Sequence, residues 1–495
     1  MNNVFVFERD NKDTYIYDND TGLIFNIDNS FLMLLNEIRK DGFSENKIYN
    51  NYNLEYYDFF FKKYIGMQKS ISIQSRKKYT VKDIEKHIET YGMKQLIFNI
   101  TEQCNLRCKY CIYSDHYPYH HSYSDKAITF EIAKKAIDLY MHYFKKVYDY
   151  YPKRRPIFTF YGGEPLLEFE IIKNIVEYIL SKYRTYNPMF NMTTNGTLLS
   201  DKTLRYINNI KDFYISISLD GPKEEHDRNR IFPNNKGTFD LIYANLVKVN
   251  KLYPSLWENL NLLSCYDFYT DITKAENFFE NEYLPPLIRV SMVEPLFSSY
   301  YQRFSIEEKN DFIKNYSNKQ KQYIEDIKSN KKPSRYSDLM FGTFFFSLYN
   351  RFKFYANNVF FDSFTGSCIP GDKLYVDTQG RLHICEKINF NFFIGDVYDG
   401  LDLGKISEII EKYNEEVLSK CRNCPISRIC GTCYATFAAN GYFEIPKGFC
   451  ESRIKSTKEA LKDLIEVLIH NPNYFKNKYS RNKNANFHHE DLYCY

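Results

Sequence analysis

The chain has 495 residues, a formal net charge of +4, 44% hydrophobic and 18% aromatic residues. That length provides for two or three domains, and so small a basic excess gives no indication of a nucleic-acid partner. No apolar run approaches membrane-spanning length and no basic stretch leads into an apolar signal segment, so a cytoplasmic protein without a membrane partner is expected. In that setting 12 cysteines point to metal or redox chemistry, not to a disulfide scaffold.

Residues 1–90 carry no cysteine. Alternation predicts strands over 3–7, 13–17 and 22–27, then a helix from near Asn29 with Phe31, Leu32, Leu34, Leu35 and Ile38 on one face, ending at Asp41-Gly42. Such a module reads either as a packing appendage or as a partner-binding domain. From Leu96 a strand–loop–helix rhythm begins. Strands are predicted at 96–100, 157–161, 190–194, 213–221, 260–264 and 288–293, with helices near 168–183 and 238–250 between them. Apolar strands alternating with helices predict an α/β fold with a parallel sheet, and six units suggest an open or incomplete barrel. Polar and glycine residues gather just past the strand ends, where such folds place their chemistry.

Ser305 and Glu308 form a capping box for a polar helix over 306–329. Residues 338–364 are rich in aromatics, 368–450 are rich in cysteine, and a last helix is predicted over 456–469. The tail from 473 reads as disordered, with Cys494 an inert thiol and His488-His489 too short for a metal site.

Cys104-Asn-Leu-Arg-Cys108-Lys-Tyr-Cys111 follows the first strand of the repeating region. Three thiolates on a short loop suit three irons of a cubane cluster, leaving the fourth open to a ligand. Zinc would need a fourth donor, for which His116, His120 and His121 are the nearby candidates. The spacing is not that of a bacterial ferredoxin. The segment resembles the radical S-adenosylmethionine (SAM) superfamily, whose CxxxCx(aromatic)C loop follows the first strand of a partial (β/α)6 barrel. That resemblance makes Cys104, Cys108 and Cys111 the catalytic cluster ligands and places Tyr110 near the adenine of the cofactor. Gly162-Gly163-Glu164 resembles the family's GGE after the second strand, with the Glu164 carboxylate facing the cofactor's ammonium. Asn195 lies at the end of the third strand. Ser216 or Ser218 on the fourth would contact the cofactor, and Arg230 its carboxylate. Asp220, His226 and Arg230 read equally well as a structural ionic set.

A second group comprises Cys368, Cys385, Cys421, Cys424, Cys430, Cys433 and Cys450. Read alone, it could hold two metal centres, and zinc stays open for any isolated CxxC pair. Its order resembles the SPASM domain, an auxiliary iron–sulfur domain of peptide-modifying radical enzymes. The departure is Cys430-x2-Cys433, one residue shorter than usual. By that resemblance Cys368, Cys385 and Cys433 hold an inner cluster, and Cys421, Cys424, Cys430 and Cys450 an outer one, for three [4Fe–4S] clusters in all. The inner set lacks a fourth cysteine. Its iron would be completed by Asp362, with Ser363 beside it, or by a substrate thiol.

The first module resembles the winged-helix-like domain that recognises leader peptides. The implied layout is a recognition domain at 1–90, a radical SAM partial barrel at 91–335, a SPASM domain at 336–470 and a disordered tail at 471–495. The implied function is an anaerobic oxidoreductase maturing a ribosomally made peptide (RiPP), forming sulfur-to-carbon thioether crosslinks in a cysteine-containing core. Its partners would be that leader-bearing precursor and a reducing flavodoxin or ferredoxin. Carbon–carbon crosslinking, formylglycine formation on a sulfatase, and simple electron transfer are the alternatives.

Overall fold

The computed structural model describes residues 4–9, 13–19, 22–33, 80–351, 368–421 and 424–476. Strands β1 (Val4–Arg9), β2 (Asp13–Asp18) and β3 (Leu23–Ile27) form an antiparallel sheet in chain order. Alternation sends Phe7, Tyr15 and Tyr17 into the main core, and Phe7 stacks on Tyr15 at 5.7 Å. This sheet is tied to the C-terminal part of the chain. Asn19 Nδ2 donates to Ser427 Oγ at 2.8 Å, and the Arg428 N–H donates to Asn19 Oδ1 at 3.1 Å. The helix predicted from Asn29 is seen over 29–33; the rest of it, with Leu34, Leu35 and Ile38, lies outside the described residues.

Helix α1 (Val81–Thr90), capped by Thr80, leads into β4 (Gln95–Thr101). There follow α2 (Phe130–Tyr150), β5 (Ile157–Gly162), α3 (Phe169–Tyr183), β6 (Met189–Thr194) and α4 (Asp201–Asn208). Next come β7 (Phe213–Ser218), α5 (Phe239–Leu252), β8 (Leu260–Tyr266), α6 (Ile272–Asn281) and β9 (Leu287–Met292). β4 to β9 pair in chain order, all parallel. The helix-covered face is built on a row of registered rings. Phe98 meets Phe160 at 5.9 Å and Phe190 meets Phe213 at 5.9 Å. Burying such rings contributes about 2–3 kcal/mol each.

The other face is less covered. In β7, Phe213, Ile215 and Ile217 are buried while Tyr214, Ser216 and Ser218 alternate onto the open side. In β8 the open-side residues are Asn261, Leu263 and Cys265. These strand faces and the loops above them bound the candidate site.

Helix α7 (Ile306–Lys328) carries both halves of the Ser305/Glu308 capping box. The sheet then continues beyond the six predicted strands. β10 (Lys373–Val376) pairs parallel with β4, covering an edge that would otherwise be open. β11 (Arg381–His383), β12 (Phe393–Asp396) and β13 (Gly400–Leu401) extend it antiparallel to ten strands. The cysteine-rich region therefore shares a hydrogen-bonded sheet with the repeating units, across the boundary expected at 336. After α8 (Leu403–Glu416) comes α9 (Phe449–His470), the last long helix among the described residues. That helix starts earlier than predicted, because Gly448 turns the chain at φ 78° and lets Phe449 pack on the core. Among the described residues no helix is long and apolar enough to cross a membrane.

Candidate active site

The Cys104–Cys111 loop leaves the C-terminal end of β4 and is fastened by backbone hydrogen bonds from two sides. Arg107 N donates to Ile231 O at 2.8 Å and Lys109 N to Asn229 O at 3.0 Å, docking it on the loop after β7. On the other side Gly163 N donates to Thr101 O at 2.7 Å and Glu164 N to Gln103 O at 2.8 Å. The glycine pair makes this approach possible. A Cβ on Gly163 would stand 2.0 Å from Gln103 O, and Gly162 adopts φ +130° with Asn99 Oδ1 and Thr101 O each 2.5 Å from its Cβ position.

The three thiols are neighbours in a polarised pocket. Leu106 N donates to Cys104 Sγ at 3.4 Å, Tyr113 N to Cys111 Sγ at 3.5 Å, and Asn195 Nδ2 approaches Cys104 Sγ at 4.0 Å. Burial pushes Cys104 up to about 11 and Cys108 up to about 12, and the Arg230 charge works the other way at both. Among the described residues no group of three or more His, Cys, Asp or Glu converges where a single metal ion could sit. Of the histidines considered for zinc, His116 Nδ1 pairs with Ser299 Oγ at 2.8 Å and His121 Nε2 pairs with the Tyr375 hydroxyl at 3.3 Å, while His120 Nδ1 is buried without a hydrogen-bond partner. Adjacent thiols receiving N–H donors and facing a buried guanidinium fit a multi-iron group held by thiolates.

Tyr110, Asp220 and Arg230 form one buried unit. The Tyr110 hydroxyl donates to Asp220 Oδ2 at 2.5 Å and accepts from Arg230 Nη1 at 2.9 Å, while Arg230 Nε is buried without a partner. The tyrosine thus joins acid and base, and His226 stands apart, its Nδ1 accepting from Asp220 N at 3.3 Å and its Nε2 pairing with Thr238 Oγ1 at 3.0 Å. Glu164 is fully buried and bridges strand ends: Oε1 accepts from Thr194 Oγ1 at 2.7 Å and from Leu166 N at 3.1 Å, and Oε2 accepts from Asn195 N at 2.7 Å. Burial nevertheless raises its carboxyl above the ordinary value. Ser216 and Ser218 lie on the less covered face of β7, as alternation requires.

In the C-terminal region Cys385 is pushed up to about 12 by burial and then by the charges of Glu386 and Cys433 beside it. Cys424 lies near Cys430 and Cys450. Tyr413 is within electrostatic reach of Cys433, Cys421 and Cys430. The short Cys430–Cys433 segment passes through Gly431 at φ 68°, with Arg453 Nη2 donating to Cys430 O at 2.6 Å. Cys368 stands just before β10; Asp362 and Ser363 lie outside the described residues, as do Cys494, His488 and His489.

Several site residues carry no sequence signal. Asp267, fully buried after β8, accepts from Arg228 Nη1 at 2.7 and 2.9 Å, from Asn229 Nδ2 at 2.9 Å and from the Tyr300 hydroxyl at 2.7 Å. It thereby fixes the segment on which the cysteine loop docks. Cys265 places its N–H on Asp220 Oδ1 at 3.0 Å and packs beside Cys108 and Tyr110.

Residues 98–263, which include the cysteine loop, Glu164 and Arg230, match the family model for the radical SAM superfamily. The chain carries a radical SAM domain. With that domain come SAM and a radical SAM iron–sulfur cluster. The uncharacterized protein MJ0907 of Methanocaldococcus jannaschii is 34% identical over 145 residues, 29% of this chain and 44% of that protein. A cysteine-type anaerobic sulfatase-maturating enzyme of Clostridium novyi is 27% identical over 210 residues, 41% of this chain and 52% of that enzyme. The chain thus spans about half the length of the curated relatives it matches. In overall fold it is similar to native anSMEcpe solved with AdoMet and a Kp18Cys peptide, at TM-score 0.54 and 19% identity, covering 78% of this chain and 99% of that one. The matched residues run from within β4 to within β8 of the large sheet.

Proposed function

We propose that this protein is a radical SAM peptide maturase that forms sulfur-to-carbon thioether crosslinks in a cysteine-containing, ribosomally made precursor. In this reading Cys104, Cys108 and Cys111 hold the first cluster. Tyr110, Gly162, Gly163, Glu164, Asn195, Ser216, Ser218 and Arg230 form the cofactor pocket, and the C-terminal cysteines hold two auxiliary clusters. When bound, SAM and the first cluster supply a 5′-deoxyadenosyl radical.

The residues of the chain do the binding and orienting. The unpartnered Arg230 Nε offers a cation-borne donor to the cofactor's carboxylate. Glu164 supplies the buried anion suited to its ammonium, held rigid by Thr194 and Asn195. Tyr110 is clamped between Asp220 and Arg230, so its ring has one orientation from which to pack against an adenine.

The observation that carries the thioether reading is the cysteine count around Cys385 and Cys433. Between Cys265 and Cys368 the sequence has no cysteine, so in this assignment the inner set consists of Cys368, Cys385 and Cys433 alone. An open coordination position there would accept a substrate thiol and lower its pKa. The likeness to sulfatase-maturating enzymes supports a polypeptide substrate and keeps formylglycine formation as the second reading.

The test is anaerobic reaction with a short cysteine-rich peptide encoded beside the gene, read by mass spectrometry with iodoacetamide before and after reduction. Each thioether removes two hydrogens and one alkylatable thiol, and reduction does not restore that thiol. A product that keeps every thiol while losing two hydrogens, or one that carries an aldehyde, overturns the thioether assignment.

A further inference from the structure

Strand β9 carries an arginine on the face that bounds the candidate site. Leu287 registers with Leu262 and packs in the core, and Val290 and Met292, opposite Ser264 and Tyr266, pack against that same core. A β-bulge inserts Ile288 between these positions, so that Arg289 comes opposite Leu263. Without the inserted residue, strict alternation would turn Arg289 toward the helix-covered side. With it, Arg289 joins Ser218 and Leu263 in one row of the open face, since Ser218 registers with Leu263. Bulges beside active sites re-aim side chains in this way.

The guanidinium so aimed has nothing to hold. Arg289 is half-buried, yet among the described residues it makes no hydrogen bond, ion pair or ring contact. Neighbouring arginines are engaged: Arg228 donates to Asp267 at 2.7 Å, Arg230 to the Tyr110 hydroxyl at 2.9 Å and Arg335 to Leu287 O at 2.6 Å. Around Arg289 stand the Tyr161 phenol, just before the glycine pair at the end of β5, and the Cys265 thiol, both within its electrostatic reach.

A guanidinium keeps its charge, and its planar fork of donors matches a carboxylate bidentately. Partly withdrawn from water and without a protein acceptor, it is suited to a ligand that brings the anion with it. The cofactor's carboxylate is already matched to Arg230 in the reading above. The anions that an unmodified peptide can supply are carboxylates, from Asp and Glu side chains or from its C-terminus.

We propose that Arg289 is a substrate-anchoring residue that binds a carboxylate of the peptide on the open face of the sheet and so fixes which residue is presented to the 5′-deoxyadenosyl radical. This rests on the peptide-maturase reading but not on the type of bond formed.

The probe is the short cysteine-rich peptide encoded beside the gene, without its leader, labelled and titrated into the anaerobically reconstituted full-length protein with SAM present. It is compared in three forms: as encoded, with every Asp and Glu replaced by Asn and Gln, and with its C-terminus amidated. A charge-assisted bidentate pair contributes roughly 10- to 100-fold in affinity. One of the two altered peptides should bind the wild type more weakly by that factor, and which one it is names the source of the carboxylate. Arg289→Gln should bind the encoded peptide as weakly as the wild type binds that altered form, and the two changes together should cost no more than either alone. Arg289→Lys, which keeps the charge and loses the fork, should fall between them. The peptide arms need no altered protein, so they decide the matter even where Arg289→Gln does not fold.

Equal binding of all three peptide forms by the wild type overturns the proposal. So do losses that multiply in the combined experiment, or a loss of SAM affinity in Arg289→Gln as large as its loss of peptide affinity. Arg289-dependent capture of the carboxylate-bearing peptide without any thioether product would instead overturn the crosslink reading and leave this inference standing.

Discussion

Gly163→Ala puts the smallest possible side chain where the structure has no room. Its Cβ would lie 2.0 Å from Gln103 O and 2.6 Å from Gln103 C, both backbone atoms, so no side chain can swing aside. Relief requires β5 and the segment entering the cysteine loop to part by roughly 1 Å or more, which strains the hydrogen bonds from Gly163 N to Thr101 O and from Glu164 N to Gln103 O. Overpacking of this kind costs about 1–3 kcal/mol, and each weakened hydrogen bond about 1 kcal/mol more. A total of about 3–5 kcal/mol falls on the residue adjoining Cys104. The variant should therefore lose the SAM-responsive cluster signal and 5′-deoxyadenosine formation, while iron bound by the C-terminal cysteines persists. Gly404→Ala serves as the control, since its Cβ would meet only the Asp402 side-chain oxygen at 3.2 Å. Iron analysis and EPR after anaerobic reconstitution decide the matter. A Gly163→Ala protein with a wild-type first cluster and undiminished cofactor cleavage would refute the close-approach argument.

Glu164→Gln should lower stability by about 1–3 kcal/mol in denaturant titration and weaken SAM binding, because the new amide must turn an N–H toward a buried donor, either Asn195 N or Thr194 and Leu166 together. Asp267→Ala should cost about 1–3 kcal/mol, since Arg228 keeps Glu225 Oε2 at 3.0 Å but loses its two bonds to Asp267, and Asn229 Nδ2 loses its acceptor; it should also loosen the Lys109–Asn229 docking, as read by hydrogen exchange. Burial raises the Asp463 carboxyl in α9 to about 6 from 3.8. The fold therefore favours its protonated form, and the stability this brings is present below 3.8 and lost as pH rises through about 6. Asp463→Asn should accordingly raise thermal stability at neutral pH by up to about 3 kcal/mol, with the gain vanishing in acid; a gain independent of pH would show that the carboxyl charge is not the cause.

The strand–loop–helix rhythm is legible because period-two alternation on β7 and β8 is a local pattern. The cysteine loop is legible because spacing on one short segment is written directly in the chain. Contacts between distant segments are not. Nothing near Asp267 announces that Arg228 and Tyr300 will converge on it. Four residues of β10 give too short a signal to reveal that they pair with β4 and fuse the cysteine-rich region to the parallel sheet. The glycine pair is visible as a motif, but its reason, the backbone of Gln103 pressed against Gly163, exists only in three dimensions.

The central claim is that Cys104, Cys108 and Cys111 hold the cluster at which SAM is cleaved. Its most direct measurement is 5′-deoxyadenosine formation by the anaerobically reconstituted protein with dithionite and SAM, compared with a variant carrying Cys104→Ala, Cys108→Ala and Cys111→Ala together. The wild type should form 5′-deoxyadenosine, and the triple variant should form none while keeping the iron bound by its C-terminal cysteines. Equal 5′-deoxyadenosine from both proteins, or none from a fully loaded wild type, would contradict the account.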